Sequence, residues 1–220
     1  MKTIVIIPAF NESKYISSIL CSVINFVDNI VLIDDGSTDK TAEIAKQVSD
    51  KICVLRHRIN LGKGAALKTG CLAALKLEAD IIITMDADGQ HKPEDIPRFT
   101  KEIQENDVDI VFGSRKIGEG MPYMMRVGNK FLSVIVNLLF RVYISDTQSG
   151  FRAFKANVFD KIKWNSHNYS VETEMIVNAG KNKLKYSEII IDTIYHDKYK
   201  GTTIFDGLRI FFNLLIWKLI

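Results

Sequence analysis

The chain has 220 residues, of which 47% are hydrophobic and 25% are charged, a composition that is typical of a globular protein and excludes a disordered chain. This length fits one α/β domain better than two small domains. The formal net charge of only +3 does not indicate a nucleic-acid-binding surface, so we expect no nucleic acid partner.

Short apolar, β-branched runs alternate with helical patterns through the first half of the chain. Five of these runs are predicted as strands, at residues 3–7, 29–33, 51–55, 80–85 and 108–112. Between them, apolar residues at spacings of three and four predict helices. This alternation gives right-handed crossovers, so we predict an α/β fold whose mostly parallel, Rossmann-like sheet has helices on both faces.

Polar clusters follow each of the predicted strands. They occupy residues 8–12, 34–37, 58–64, 86–90 and 113–115. In parallel sheets, ligands bind beyond the carboxyl ends of the strands. We therefore predict a nucleotide-sized crevice that is lined by carboxylates and cations.

The fourth cluster contains two carboxylates one residue apart, Asp86 and Asp88, followed by Gln90. In an extended segment, residues i and i+2 point the same way, so the two carboxylates share one small volume and repel each other. A hard divalent cation relieves this repulsion, which predicts a Mg²⁺ or Mn²⁺ site formed by Asp86, Asp88 and Gln90. Such ions complete their shell with water and phosphate, which indicates a diphosphate-bearing substrate. An ordinary polar turn is the alternative.

Two stretches near the end of the chain are unusually apolar, at residues 131–144 and 208–220. Both are too short to span a bilayer and suit helices that lie in the headgroup zone, with Trp217 at the interface. A core helix or a homodimer interface is the alternative.

The three cysteines, Cys21, Cys53 and Cys71, show no disulfide or metal spacing, which indicates reduced thiols. The first apolar run is too short for a signal peptide, and no run reaches the roughly 20 residues of a spanning helix. We expect a cytoplasmic protein that is peripheral on the cytosolic face of a membrane, with a homodimer or a membrane-subunit partner as further options.

Five ordered blocks of sequence resemble family 2 glycosyltransferases of the GT-A fold. They are PAFNE at residues 8–12, DDGSTD at 34–39, NLGKG at 60–64, DADGQH at 86–91 and GSR at 113–115. Two later blocks resemble the branch that makes dolichyl-phosphate sugars, namely DTQSGFR at residues 146–152 and ETEM at 172–175. The resemblance implies a GT-A catalytic domain over residues 1–205, with a nucleotide-sugar-binding half (1–115) and an acceptor-binding half (116–205). An amphipathic membrane-interface helix would follow at residues 206–220.

The same resemblance implies which residues bind the donor nucleotide and its metal: Pro8, Phe10, Glu12, Asp34, Asp35, Lys63, Asp86, Ala87, Asp88 and Gln90. Within this set, Asp88 and Gln90 would ligate the metal, and Asp86 would lie near the ribose and the metal. Phe10 stands where the family often has tyrosine, so a stacking contact is expected without a hydroxyl contact. Helix capping is an open alternative for Asp35, Thr38 and Asp39.

A lipid monophosphate acceptor is already ionised at neutral pH, so it needs cations rather than a general base. The resemblance implies that the acceptor phosphate is bound by Ser114, Arg115, Arg126, Arg152 and Lys198. Catalysis would rest on Asp86, Asp88, Arg115 and Arg126. Lys198 stands where the family often has arginine, and the Ser-Lys pair expected soon after it is absent, so the phosphate contacts depart from the family pattern there.

The implied activity is inverting, metal-dependent transfer of a single hexose to dolichyl or polyprenyl phosphate. GDP-mannose is the first expected donor, and UDP-glucose is the second. Transfer to a saccharide or protein hydroxyl is an alternative within the family. Sugar-1-phosphate nucleotidyltransfer is an alternative from another reaction class, although the PAFNE block stands where those enzymes usually have a glycine-rich basic loop.

Overall fold

The computed structural model describes residues 1–116, 123–167, 170–194 and 204–219, so the predicted phosphate ligand Lys198 lies outside the described residues. Within these ranges the strands are β1 (Thr3–Ala9), β2 (Asn29–Asp34), β3 (Ile52–Arg56), β4 (Ile81–Thr84), β5 (Ile110–Arg115), β6 (Arg152–Lys155) and β7 (Tyr186–Ile191). The helices are α1 (Ile16–Val23), α2 (Thr41–Lys46), α3 (Lys63–Lys76), α4 (Ile96–Glu105), α5 (Tyr123–Phe140), α6 (Phe159–Ile162), α7 (Val171–Lys181) and α8 (Ile204–Leu219).

All of these strands form one sheet in the order β3-β2-β1-β4-β6-β5-β7. Strands β1 to β4 are parallel, and Ile6 lies beside Val31 on one side and Thr84 on the other. This arrangement confirms the predicted mostly parallel sheet. Strand β6 is the exception, because it runs antiparallel to both β4 and β5. It was not predicted, since four residues with Arg152 and Lys155 at the ends carry no apolar pattern.

The predicted fifth strand required correction. The prediction placed it at residues 108–112, with Gly113, Ser114 and Arg115 following it, but these three residues belong to β5. They pair in parallel with β7, which was not predicted, and Arg115 lies opposite Ile191. A strand continues as long as a neighbour supplies hydrogen-bond partners, and the local sequence does not reveal that neighbour.

The sheet is covered by helices on both faces, as predicted. Side chains of β1 alternate between two cores, since Ile4 and Ile6 join one and Val5 and Ile7 join the other. The second core contains α1 and α4, and the first contains α3, α5, α7 and α8. A strand that is buried on both faces is apolar throughout, which explains the β-branched run that predicted it.

The two apolar stretches near the end of the chain form helices. Residues 131–140 belong to α5, and residues 208–219 belong to α8. The two helices join the core through Leu132 and Val136 of α5 and Ile210 and Leu214 of α8. Among the helices that the structure describes, none is long and apolar enough to cross a membrane.

Candidate active site

The polar clusters at the carboxyl edge of the sheet lie next to each other. In the register of the parallel strands, Ala9 lies beside Asp34, and Asp34 lies beside Arg56. Asp34 is fully buried, accepts the amide of Ser37 at 2.9 Å and has one oxygen 3.0 Å from Arg56 Nε. Asp34 therefore fixes the turn after β2, and its contact with a nucleotide stays a prediction.

Asp35 organises the glycine loop that begins α3. Its carboxylate accepts the amides of Leu61 at 3.0 Å and Gly62 at 2.8 Å, and it lies 2.7 Å from His57 Nδ1. Gly62 has a φ of +91°, and an added Cβ would lie only 2.2 Å from the carbonyl oxygen of His167. Only glycine suits this position, because it tolerates both the positive φ and the close approach.

The first block presents an aromatic ring at the rim and a buried carboxylate behind it. Phe10 is 44% exposed, whereas Glu12 is 8% exposed and its amide donates to Thr41 Oγ1 at 2.9 Å. The carboxylate of Asp39 accepts the amides of Ser13 and Thr41. Burial opposes this charge, but the hydrogen bonds from Thr41 and Ser13 lower the pKa of Asp39 to about 2. Asp39 thus binds the amide of Thr41, the first residue of α2, although Lys40 is the N-cap residue and no side chain caps the helix.

Lys63 joins the two halves of the crevice. Its Nζ lies 2.6 Å from Asp86 Oδ1 and 2.7 Å from Glu172 Oε1, and Glu172 lies in the first turn of α7. Burial would lower the pKa of Lys63, but the two carboxylates raise it well above its usual range. The ammonium is therefore a fixed positive charge between the loop after β4 and the first turn of α7.

Asp86, in the loop after β4, is held as an anion. Burial by itself would raise the pKa of Asp86, but Lys63 and, to a smaller extent, His91 hold it well below its usual range. The Nε2 atom of His91 lies 3.6 Å from Asp86 Oδ2. A Cβ on Gly150 would lie 2.6 Å from that same oxygen, so glycine makes room for the carboxylate.

The charge of Asp88 is compensated less than that of Asp86. Its Oδ1 accepts the amide of Gln90 at 3.0 Å, and within the described ranges no Lys, Arg or His nitrogen lies within 4 Å of its carboxylate. Burial and the negative charge of Asp86 raise the pKa of Asp88. A carboxylate that is short of positive charge fits a cation, and Gln90 is buried beside it in the same loop.

The protein alone does not complete a metal cage. No group of three or more His, Cys, Asp or Glu side chains in the described part of the chain could hold a metal ion. Mg²⁺ characteristically takes one or two carboxylates and fills its remaining positions with water and substrate phosphates. The donor set therefore fits an ion that is bound together with a diphosphate.

On the acceptor side, the predicted arginine Arg115 is already paired. Its Nε donates to Asp146 Oδ2 at 2.5 Å and its guanidinium also reaches Asp146 Oδ1 at 3.0 Å. Asn129 of α5 donates to the same carboxylate at 2.8 Å. Burial opposes the charge of Asp146, but Arg115 holds its pKa below the usual range. Asp146 was not among the predicted site residues, although it begins the DTQSGFR block.

Ser114 and Arg152, two further predicted phosphate ligands, have partners within the protein. Ser114 Oγ donates to Glu188, which also accepts the amide of Ser145. Arg152 is 2% exposed and donates to the backbone carbonyls of Ser149, Thr147 and Glu172. Burial lowers the pKa of Arg152 to about 10, so it keeps its charge at neutral pH. Both residues fix the walls of the crevice, and their direct contact with an acceptor stays a prediction.

The structure thus brings some predicted residues together and separates others. Lys63 contacts Asp86 and Glu172, the second of which was not among the predicted site residues, and Asp88 is close enough to Asp86 for that charge to raise the pKa of Asp88. Arg126 lies on α5, and Ala87 is a buried residue of the loop after β4. Glu174 lies on the same helix as Glu172 but accepts the amides of Asn165 and Ser166.

Comparison with solved structures shows the fold. The structure of glucosyl-3-phosphoglycerate synthase from Mycobacterium tuberculosis, in complex with Mn²⁺, uridine-diphosphate-glucose and phosphoglyceric acid, matches with a TM-score of 0.79. The match covers 100% of this chain and 80% of that chain at 18% sequence identity. The protein therefore has the GT-A fold, as predicted.

The sequence defines the family. The family model of glycosyl transferase family 2 matches residues 4–166, and the chain belongs to this family. It is 37% identical to a UDP-N-acetylglucosamine–dolichyl-phosphate N-acetylglucosaminyltransferase of Methanococcus voltae, over 97% of this chain and 95% of that protein. It is 30% identical to a dolichol-phosphate mannosyltransferase of Pyrococcus furiosus, over 99% of this chain and 65% of that protein. The chain is thus a glycosyltransferase that is similar to dolichyl-phosphate sugar transferases.

Proposed function

We propose that this glycosyltransferase moves a single sugar from a nucleoside diphosphate sugar to dolichyl or polyprenyl phosphate. The observation that carries the proposal is the pair formed by Asp86 and Asp88 at the carboxyl edge of the sheet. Asp86 is neutralised by Lys63, while Asp88 has no cation within 4 Å among the described residues. Such a pair suits a diphosphate that arrives with its own divalent ion.

On the donor side, Asp88 and Gln90 would hold Mg²⁺ or Mn²⁺, with Asp86 next to them. When bound, the ion neutralises the charge that develops on the diphosphate leaving group. The exposed ring of Phe10 offers a face on which a nucleobase can stack. Asp35 keeps the glycine loop in place through the amides of Leu61 and Gly62, and this holds Lys63 at the start of α3.

On the acceptor side, an oxygen of the lipid phosphate attacks the anomeric carbon from the face opposite the leaving diphosphate, which inverts the configuration. That oxygen is ionised at neutral pH, so no residue has to remove a proton. We assign Arg115, Arg126 and Lys198 to the binding of this phosphate. Arg152 and Ser114 are positioning residues in this proposal, because their polar atoms already bond to the walls of the crevice.

The donor is the finer part of the proposal. UDP-N-acetylglucosamine is supported by the name of the relative that shares 37% identity along nearly its whole length. GDP-mannose, the first expectation from the sequence, is supported by the name of the relative at 30% identity. UDP-glucose is the third candidate. All three donors carry the diphosphate that the Asp86–Asp88 pair requires.

The test is a transfer assay with each of the three donors, Mn²⁺ and a polyprenyl phosphate in detergent micelles, with the lipid product identified by mass spectrometry. We expect product from one donor, no product with a metal chelator, and none with the matching polyprenol, which lacks the phosphate. NMR of the product should show the anomeric configuration opposite to that of the donor. Transfer to the polyprenol or to free saccharides, with none to the lipid phosphate, would contradict the proposed acceptor.

A further inference from the structure

Glu174 is a buried carboxylate that the proposed transfer reaction does not use. It lies in the first turn of α7 and is 5% exposed. Its oxygens accept the amides of Asn165 at 2.9 Å and Ser166 at 3.0 Å, and also the hydroxyl of Ser166 at 2.5 Å. Hydrogen bonds to a carboxylate are stronger than those to a neutral acceptor. Glu174 therefore fixes residues 164–167, which we call the Trp164 segment.

The Trp164 segment packs against the glycine loop at the start of α3. The indole Nε1 of Trp164 is buried and donates to the carbonyl of Gly64 at 2.8 Å. In return, the amide of Gly64 donates to the carbonyl of His167 at 2.9 Å. The carbonyl of Ser166 lies so close to Gly64 that a Cβ would have no room there. Because the two backbones are in direct contact, a shift of the segment has to displace the loop.

Lys63 lies between the two glycines of this loop, at the first position of α3. Its Nζ lies 2.6 Å from Asp86 and 2.7 Å from Glu172. The first turn of α7 thus supplies two carboxylates with different roles. Glu172 pairs with the ammonium of Lys63, whereas Glu174 supports the backbone that carries it through the Trp164 segment.

We propose that Glu174 is a positioning residue that holds Lys63 in contact with Asp86 by way of the Trp164 segment. The attraction between charges depends strongly on their separation, so a displacement of about 1 Å at the glycine loop is enough to weaken this contact. Asp86 would then lose its counter-charge at the point where the diphosphate and its metal are expected. The effect on donor binding rests on the proposed function, whereas the contact itself can be measured without any ligand.

Acylation of lysines with an N-hydroxysuccinimide ester, followed by mass spectrometry, measures this contact in the free protein. We expect slow labelling of Lys63 in the wild type, because 18% of its side chain is exposed. In addition, although burial opposes the charge, Asp86 and Glu172 raise the pKa of Lys63. Glu174→Gln leaves only one oxygen to accept the two amides, so the labelling rate of Lys63 should increase about tenfold.

The matched control for this measurement is Glu188→Gln. Glu188 also accepts one amide and two hydroxyls, but these belong to Ser145 and Ser114 and not to the Trp164 segment. This variant should therefore leave the labelling rate of Lys63 unchanged. Equal labelling rates of Lys63 in the wild type and in Glu174→Gln would overturn the proposal.

A second variant tests the same contact if Glu174→Gln fails to fold. Trp164→Phe keeps an aromatic ring in the core but removes the donor to the carbonyl of Gly64. The loss of one such hydrogen bond should increase the labelling rate of Lys63 about threefold. An unchanged rate in this variant would contradict the role of the Trp164 segment.

Calorimetric titration with UDP and GDP in the presence of Mn²⁺ separates this inference from the proposed function. Glu174→Gln should bind the diphosphate that the wild type binds about tenfold more weakly. Ile176→Val, a buried change on the same helix that destabilises through packing alone, should leave the affinity unchanged. Unchanged affinity in Glu174→Gln would contradict the positioning role. If the wild type binds neither diphosphate, the proposed function is contradicted, while the labelling rates still decide whether Glu174 holds Lys63.

Discussion

Two loops contact each other in the crevice, and they differ in whether their charged side chains are paired with groups of opposite charge. The loop after β4, residues 86–91, contains Asp88, whose carboxylate is short of positive charge. The loop before β6, residues 145–151, contains Asp146, whose carboxylate is bound by Arg115 and Asn129. Arg152, directly after this second loop, is buried and bonds three backbone carbonyls. Both loops are polar in sequence, yet only one of them has unmet charge.

This difference in charge compensation distinguishes a loop that could bind a ligand from a loop that supports the fold. A buried polar group whose hydrogen bonds are all satisfied stabilises a fold. An ionised carboxylate without a neighbouring cation destabilises the fold, and such groups are typical of ligand-binding sites. We therefore expect the first loop to receive a charged ligand and the second loop to support the fold. Three substitutions test this distinction, and they run from the largest expected effect to the smallest.

Asp88→Asn should abolish transfer and stabilise the fold. Loss of the carboxylate removes the charge that would hold a divalent ion, so we expect turnover to fall by about 100-fold or more. Because the pKa of Asp88 is raised in the folded chain, its ionised form is disfavoured by folding, and Asn should raise Tm at neutral pH. That gain should shrink as the pH falls through the raised pKa, where Asp88 becomes protonated.

The measurements are a transfer assay and thermal unfolding of the free protein at several pH values. The control is Asp50→Asn, which changes an exposed carboxylate at the opposite edge of the sheet and should alter neither quantity. A Tm for Asp88→Asn below that of the wild type at neutral pH would contradict the inference that the ionised carboxylate of Asp88 destabilises the fold.

Arg152→Met should destabilise the protein even though it leaves the loop after β4 unchanged. Three buried carbonyls lose their donor, and each such loss costs about 1–3 kcal/mol, so we expect a decrease of about 3 kcal/mol in the free energy of unfolding. Urea denaturation measures it. Arg98→Met is the matched control, because Arg98 also donates to a carbonyl, that of Ile190, but is exposed, and its loss should cost less than about 1 kcal/mol. Equal decreases in the free energy of unfolding for the two variants would contradict the supporting role of Arg152.

Gly150→Ala changes the point at which the two loops touch. The new Cβ would lie 2.6 Å from Asp86 Oδ2, so the carboxylate has to move. A displacement of this kind should reduce kcat by about tenfold or more, with a smaller effect on stability. The control is Gly128→Ala on α5, where no atom lies within 4 Å of the added Cβ. It should leave kcat unchanged and stabilise the helix by about 0.5–1 kcal/mol. An unchanged kcat for Gly150→Ala would show that the position of Asp86 is not critical.

Much of the fold of residues 1–115 could be predicted from the sequence, because most of its strands are buried on both faces and therefore appear as apolar runs. Strands β1 to β4 and the polar residues at their carboxyl ends follow from that pattern. The later part of the chain gives a weaker pattern. Strand β6 has four residues and β7 is only partly buried, so neither shows the continuous apolar run that predicted the others.

The predicted site residues divide in the same way. Asp86 and Asp88 could be found from their spacing, because it follows directly from the strand before them. The partners of Lys63 could not be found from sequence spacing, since Glu172 lies more than 100 positions further along the chain. Nor could sequence alone show that Arg152 is turned into the core rather than toward the crevice, because an arginine can hydrogen-bond to backbone carbonyls as well as to a phosphate.

By itself, the sequence determined the alternation of strands and helices, the polar residues that follow the strands, and the spacing of the two carboxylates after β4. These features depend on local periodicity and on the nearest neighbours in the chain. Only the tertiary structure decided which charges are compensated and which helices share an exposed apolar face. Those properties depend on groups that are distant in sequence, such as Asp146 beside Arg115 and Phe211 beside Phe131, which become neighbours only when the sheet has formed.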